Sequence, residues 1–162
     1  MIIHYMQDRD RALPLSPIPR KNWEIDAYPV NEIAEYVQDV SQGDIDVLVE
    51  EYYNKYDMIL DGCDPEKFKK HVAVQAGIEI GFERFLEEKN YQAIITHFGD
   101  LGSLKQLPGL ATQRLMEKGY GFGGEGDWKT AAMGIEAVYI DGDTTIRNLQ
   151  NELRWNSMYF SK

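Results

Sequence analysis

The run Gly121-Phe122-Gly123-Gly124-Glu125-Gly126-Asp127-Trp128 sets one carboxylate, Glu125, among four glycines and follows it with Asp127, an acid able to cap a helix opening at Trp128. Glycines let a backbone bend tightly, so a carboxylate carried this way can point into a cleft beside a helix N-terminus. There it could bind a hard metal ion or move a proton; the alternative reading of Glu125 is an exposed loop acid. A phosphate loop is not encoded. The sequence has no GxxxxGK[ST], and Glu125 would repel a phosphate.

The three histidines supply less. His97 ends a short apolar run and could touch a ligand there, whereas His71 falls on or beside the core stripe of a long helix and reads as a packed or exposed residue. His4 lies in the proline-rich beginning of the chain. Without HExxH, a paired-histidine spacing or GxSxG, zinc-protease and serine-hydrolase chemistry fail for want of residues. The single Cys63 cannot form an internal disulfide and has no neighbouring zinc ligands, so it reads as a reduced thiol.

The elements that must position these groups are legible as periodicities. Ile33, Ala34, Val37 and Val40 recur at helical spacing after Pro29. Ser41 opens a second helix with Ile45, Leu48, Val49, Tyr52 and Tyr56 on one face, and Asp64-Pro65 opens a third that should run to about Lys89. Val74, Ile78, Phe82 and Phe85 mark the core side of that third helix. Its Gly77 and Gly81 each cost about 1 kcal/mol of helix propensity, which suggests a second backbone packed closely against them. Residues 91–98, YQAIITHF, read as a strand of a βα unit, and ligands in open α/β sheets bind at the carboxyl ends of strands. Residues Thr96 to Phe98 and the following loop are therefore the first place to seek a site. A helix from Pro108 to Lys118 should end at Gly119 as a left-handed cap. Ala137 to Ile140 could be a further strand, with Ile146, Leu149 and Leu153 as the apolar stripe of a last helix.

These elements make an α/β fold with a small parallel sheet flanked by helices, over 162 residues of which 43% are apolar. Residues 1–22 hold three of the six prolines and read as an extended arm; 23–134 form the α/β segment and 135–162 a C-terminal βα tail. The net charge of −10 argues against nucleic acid and anionic membranes as partners. No apolar run reaches the roughly 20 residues of a membrane span, and charges interrupt the first residues, so the expected location is cytoplasmic.

The words LKQLPGLATQRLMEKGYGFGGEGDWKTAA resemble the central-domain segment of bacterial L-arabinose isomerases, and the likeness extends through ITHFGDL, FERFLEEKN, DIDVLVEEYYNKY and NEIAEYV, covering roughly residues 23–133. The resemblance implies a Rossmann-like central domain of the arabinose/fucose isomerase type, in a subunit of three domains whose active sites lie between domains and subunits of a trimer or hexamer. It implies interconversion of L-arabinose and L-ribulose, often also of D-galactose and D-tagatose, by proton transfer between C1 and C2 through an enediol. A divalent metal, usually Mn2+, would hold the sugar oxygens and stabilise developing charge, while a carboxylate moves the proton. Carried over, Glu125 matches the first of two catalytic and metal-binding glutamates, and Phe98 matches an aromatic residue lining the sugar pocket.

The departures are equally specific. The second glutamate, in an FMEDY-type segment, and two metal-binding histidines should lie downstream, yet residues 134–162 contain neither that segment nor a histidine. Gly99 and Gly102 stand where the family usually has Glu and His. The resemblance thus implies a pentose substrate and association with like or full-length isomerase subunits, with a catalytic set that is incomplete in this chain. A non-catalytic module that joins isomerase subunits or binds sugar weakly is the alternative.

Overall fold

The computed structural model describes residues 2–5, 25–97, 99 and 101–141, with residues 2–5 and 136–141 described as backbone only. Four strands, β1 (Ile2–Tyr5), β2 (Ile25–Tyr28), β3 (Ala93–Thr96) and β4 (Gly121–Gly124), pair in the order β2-β1-β3-β4. Every pairing is parallel. Parallel neighbours need crossovers, which explains why helices fill the intervals. Between β2 and β3 run α1 (Val30–Gln38), α2 (Gln42–Lys55) and α3 (Pro65–Lys89); α4 (Gly109–Glu117) links β3 to β4, and α5 (Trp128–Asp141) follows β4. None of the helices is long and apolar enough to cross a membrane, among the described residues.

The helix boundaries have local causes. Ser41 accepts a hydrogen bond from the Asp44 amide at 3.1 Å and starts α2, and Asp64 accepts from the Lys67 amide at 2.8 Å with Pro65 at the first helical position of α3. Asn90 in the left-handed region ends α3. Helix α4 begins after Pro108, which has no side chain to cap it, and receives its cap from another helix. The buried Gln75 of α3 accepts from the Ala111 amide at 3.3 Å while its Nε2 donates to the Leu107 carbonyl at 2.8 Å.

The main core lies between the sheet and α1, α3 and α4, where Ile33, Ile78, Phe82, Phe85, Leu86, Ile94 and Leu115 are almost fully buried. Of the two helical glycines, Gly81 is the close approach: a Cβ there would lie 2.6 Å from the Val37 Cα of α1. At Gly77 the nearest atom would be Ile45 Cδ1 at 3.5 Å, an ordinary contact. A satellite core joins α2 to α3 through Val49, Tyr52, Val72 and Ala76, the stripe expected from the spacing of α2.

Charge is buried beside that satellite core. Glu79 of α3 is wholly enclosed and accepts hydrogen bonds from Tyr52 and, at 3.1 Å, from Arg114 Nε of α4; Lys118 pairs with it at 3.0 Å. Arg114, itself buried, also reaches Glu51 at 2.6 Å and lies over the Tyr52 ring. Burial alone would lower the Arg114 pKa; hydrogen bonds to Tyr56, Glu79 and Glu51 outweigh it and hold the guanidinium even more firmly charged. The Tyr52 phenol is driven up by burial and by the Glu79 charge beside it, so it stays a donor.

On the opposite sheet face α5 packs Ala131, Ala132 and Ile135 against Ala93 and Ile95. Its approach to β4 leaves no room for side chains. A Cβ on Gly121 would collide with the Ala131 carbonyl oxygen, and one on Gly123 with the Asp127 carbonyl oxygen. This explains a correction: the glycine-rich run expected to be a loop is, over Gly121–Gly124, an edge strand whose glycines admit a helix backbone.

Two other expectations change. Ala137 to Ile140, read as a strand, continues α5, because a short apolar run cannot by itself distinguish strand from buried helix. Ile2–Tyr5, read as part of an extended arm, is an inner strand between β2 and β3, consistent with the β-branched and aromatic residues in it. Residues 6–24 and the stripe of Ile146, Leu149 and Leu153 lie outside the described residues.

Three measurements check this account by urea denaturation. Gly123→Ala should cost about 1–3 kcal/mol by overpacking, whereas Gly124→Ala, whose Cβ would meet nothing within 4 Å, should cost less than about 1 kcal/mol. Arg114→Met should cost about 3–5 kcal/mol by orphaning Glu79, and most of that should return in Glu79→Leu/Arg114→Met. Asp127→Ala should cost about 1 kcal/mol through loss of the α5 cap. The Thr130 hydroxyl and amide hold the Asp127 carboxyl below its ordinary range, so its contribution is complete at neutral pH and fades as pH falls below about 4.

Candidate functional site

The carboxyl ends of β3 and β4 form the candidate site, and their register aligns it. Thr96 pairs with Gly124, so the residues that follow, His97 and Glu125, leave the sheet side by side. Adjacent strands lie about 4.8 Å apart, so the two residues follow neighbouring strand ends.

Glu125 occupies an exposed turn with φ of 55°, the left-handed region that non-glycine residues seldom adopt. Gly126 follows with φ of 83°, and the turn closes through the Asp127 amide donating to the Gly124 carbonyl at 3.0 Å. Asp127 is then committed to α5: its two oxygens accept from the Thr130 amide at 3.1 Å and the Thr130 hydroxyl at 2.6 Å. The capping role expected of Asp127 is present, and it leaves Glu125 as the carboxylate of this turn that makes no hydrogen bond or ion pair among the described residues.

His97 is half-buried, and its Nδ1 accepts a hydrogen bond from the Gly99 amide at 3.0 Å. Beyond Gly99 the loop is pinned to α1, whose first turn rises from the same edge after β2. Asn31 Oδ1 accepts from the Ser103 amide at 2.9 Å, and Gln38 Nε2 donates to Ser103 Oγ at 3.1 Å. Gly102, with φ of 50°, packs so closely on Val30 and Asn31 that a Cβ would collide with both side chains. Sequence reasoning missed Asn31: an asparagine in the first turn of a helix gives no sign of a partner 72 residues away.

The other singled-out residues fall elsewhere or outside. Phe98, the residue matched to an aromatic lining of the sugar pocket, lies outside the described residues. His71 is exposed on α3 and accepts from Gln106 Nε2 at 2.8 Å, a tie to the loop before α4. His4 belongs to β1, and Cys63 is an exposed free thiol. No group of three or more histidine, cysteine, aspartate or glutamate residues able to hold a metal ion occurs among the described residues. The described residues alone do not build a site of two glutamates and two histidines.

A family model described as the L-arabinose isomerase central domain matches residues 19–141. The L-arabinose isomerase of Geobacillus kaustophilus (strain HTA426) is 44% identical over 124 residues, which is 76% of this chain and 25% of that protein. That of Serratia proteamaculans (strain 568) is 48% identical over 122 residues, covering 74% of this chain and 24% of the relative. L-arabinose isomerase 1 of Clostridium acetobutylicum is 49% identical over 111 residues, with shares of 68% and 23%. The chain spans about a quarter of the length of these relatives. The matched residues 19–141 take in β2, β3 and β4, the helices between them, α5, and the turn carrying Glu125, so the chain belongs to the L-arabinose isomerase family in the part that corresponds to its central domain.

Proposed function

We propose that this chain supplies the Glu125 edge of an aldose–ketose isomerase site acting on L-arabinose and L-ribulose, with D-galactose and D-tagatose as further substrates. The observation that carries the reading is Glu125 itself: a carboxylate with no hydrogen bond or ion pair among the described residues, in a left-handed turn at the carboxyl end of a strand, within the segment matched by the family. In the open-chain sugar, Glu125 takes the proton from C2 of the aldose and returns it to C1 while the hydroxyl proton on O2 passes to O1, converting the aldehyde and its neighbouring hydroxyl into a hydroxymethyl group and a ketone. A carboxylate serves because the C–H proton is only weakly acidic and the base must be both positioned and ionised. Phe98 lines the sugar pocket in this reading.

Mn2+ belongs to the same proposal as the family's metal, with Glu125 as one ligand. One carboxylate leaves most of a coordination sphere to other groups. Catalysis then requires groups beyond the described residues, which favours assembly with like or other isomerase subunits. A cytoplasmic location is part of this reading. The second reading, a non-catalytic module that joins isomerase subunits or binds sugar weakly, draws on the same lone carboxylate.

Two assays test the proposal. Residues 19–141 of this chain should replace the matching segment of the Geobacillus kaustophilus isomerase with retention of Mn2+-dependent L-ribulose formation. Glu125→Gln in that chimera should lower kcat by about 10²–10⁴-fold, and an unchanged rate would remove Glu125 from the chemistry. The isolated chain should convert no L-arabinose above a metal-only control. Robust turnover by it, abolished in Glu125→Gln, would show instead that its own residues complete the site.

A further inference from the structure

We propose that the cleft where α1, α2 and α3 meet the loop before α4 binds a small organic carboxylate with an apolar body, held by the Lys105 ammonium and the Ser103 hydroxyl. The inference goes beyond the isomerase reading and does not depend on Glu125. Its grounds are the volume of the cleft, the charge at its mouth and the hydrogen bonds that fix that mouth.

The cleft exists because small residues stand where the helices would otherwise interdigitate. Ala34 of α1 and Ala73 and Gly77 of α3 line it, and the space it encloses is about 380 Å³. Gly77 forgoes about 1 kcal/mol of helix propensity without gaining a close backbone approach: the nearest atom to a Cβ there would be Ile45 Cδ1 at 3.5 Å. Protein interiors pack as densely as organic crystals, and they keep few voids larger than a water molecule. A cleft of this volume is instead of the size that takes a small organic molecule.

The walls are apolar and the mouth is cationic. Val37, Val40, Ile45 and Val74 supply much of the wall, no acidic residue lines the cleft, and Lys105 is its one charged side chain among the described residues. Lys55, Lys89 and Lys118 each pair with a glutamate, whereas the exposed Lys105 makes no ion pair or hydrogen bond among the described residues. On a chain of net charge −10, an acid-free cleft with an uncommitted ammonium is a local exception that selects an anion. Ser103 stands two residues before that lysine on the same loop. Its Oγ accepts from Gln38 Nε2 at 3.1 Å and so keeps its own proton to donate, while its amide is held by Asn31 Oδ1 at 2.9 Å. An ammonium and a hydroxyl on a pinned loop suit the two oxygens of a carboxylate, whose hydrogen bonds are strengthened by charge.

The test uses the full chain, 1H–15N correlation spectra, and phenylbutyrate as the probe, with phenylbutanol and phenylbutylamine as its neutral and cationic counterparts. Phenylbutyrate should shift the backbone amides of Val37, Gly77, Ser103 and Lys105 in one saturable set. Phenylbutanol should act on the same amides with about tenfold lower affinity, and phenylbutylamine more weakly still. Lys105→Ala should lower phenylbutyrate affinity about tenfold, to the level of the alcohol, and leave the alcohol unaffected. Ala73→Phe, which fills the cleft, should abolish binding of both while the spectrum stays well dispersed; if that variant loses its fold, Lys105→Ala decides. Absence of saturable binding up to about 10 mM phenylbutyrate overturns the proposal. So do shifts that map away from the cleft, or a Lys105→Ala chain that binds the acid as tightly as the parent. If the same amides move on dilution with no probe present, the cleft is a contact between copies of the chain, and the carboxylate site is refuted.

Discussion

Backbone-to-backbone contact between β4 and α5 is the constraint on which the candidate site depends. Where the helix crosses the strand, the carbonyl oxygens of Ala131 and Asp127 occupy the space that Cβ atoms of Gly121 and Gly123 would need. A strand made of glycine loses side-chain packing and gains backbone entropy when unfolded, so it is a poor strand by itself. It persists because its ladder with β3 is complete over four residues and because α5 buries Ala131, Ala132 and Ile135 against the same sheet face. With the helix drawn so near, only a tight turn can join its first residue to the end of the strand. Glu125 is in that turn.

The other face of the sheet is held by different means. Helix α4 has no side-chain cap of its own and is short, so its placement is set by partners on α2 and α3. Gln75 supplies the missing cap, and the Arg114–Glu79 pair with Tyr52 and Lys118 gives the contact a single satisfied geometry. Enclosing these charges costs desolvation that their mutual attraction roughly offsets, so the network contributes definition more than net stability. That definition reaches the site, since α4 runs directly into β4 and thereby helps set the register of Gly124 against Thr96.

Much of this was readable from residue spacing. The caps Ser41, Asp64 and Asp127, the stripes of α2 and α3 and the strand ending at Thr96 follow from local rules of capping and periodicity, which act over four residues or fewer. What escaped depends on atoms distant in sequence. The strand character of Gly121–Gly124 arises from β3 on one side and α5 on the other, and no propensity favours it. The same holds for the inner strand Ile2–Tyr5, which needs β2 and β3 as neighbours, and for the Asn31–Ser103 tie. At the site, the type of Glu125 was visible, whereas the pairing of Gly124 with Thr96 that sets its place at the end of β4 required two strands distant in sequence.

The conformation of Glu125 carries the last step. A left-handed φ costs a residue with a Cβ about 1 kcal/mol or more relative to glycine, and glycine flanks it on both sides. Its carboxylate returns none of that cost to folding, because it is exposed and makes no hydrogen bond or ion pair among the described residues. Asp127, two residues on, behaves in the opposite way, with both oxygens engaged in starting α5. Of the two acids in the turn, one stabilises the fold, and the other holds a strained backbone in place of a more stable glycine. Strain of this kind clusters at active sites and ligand clamps, where the surrounding structure over-determines the turn.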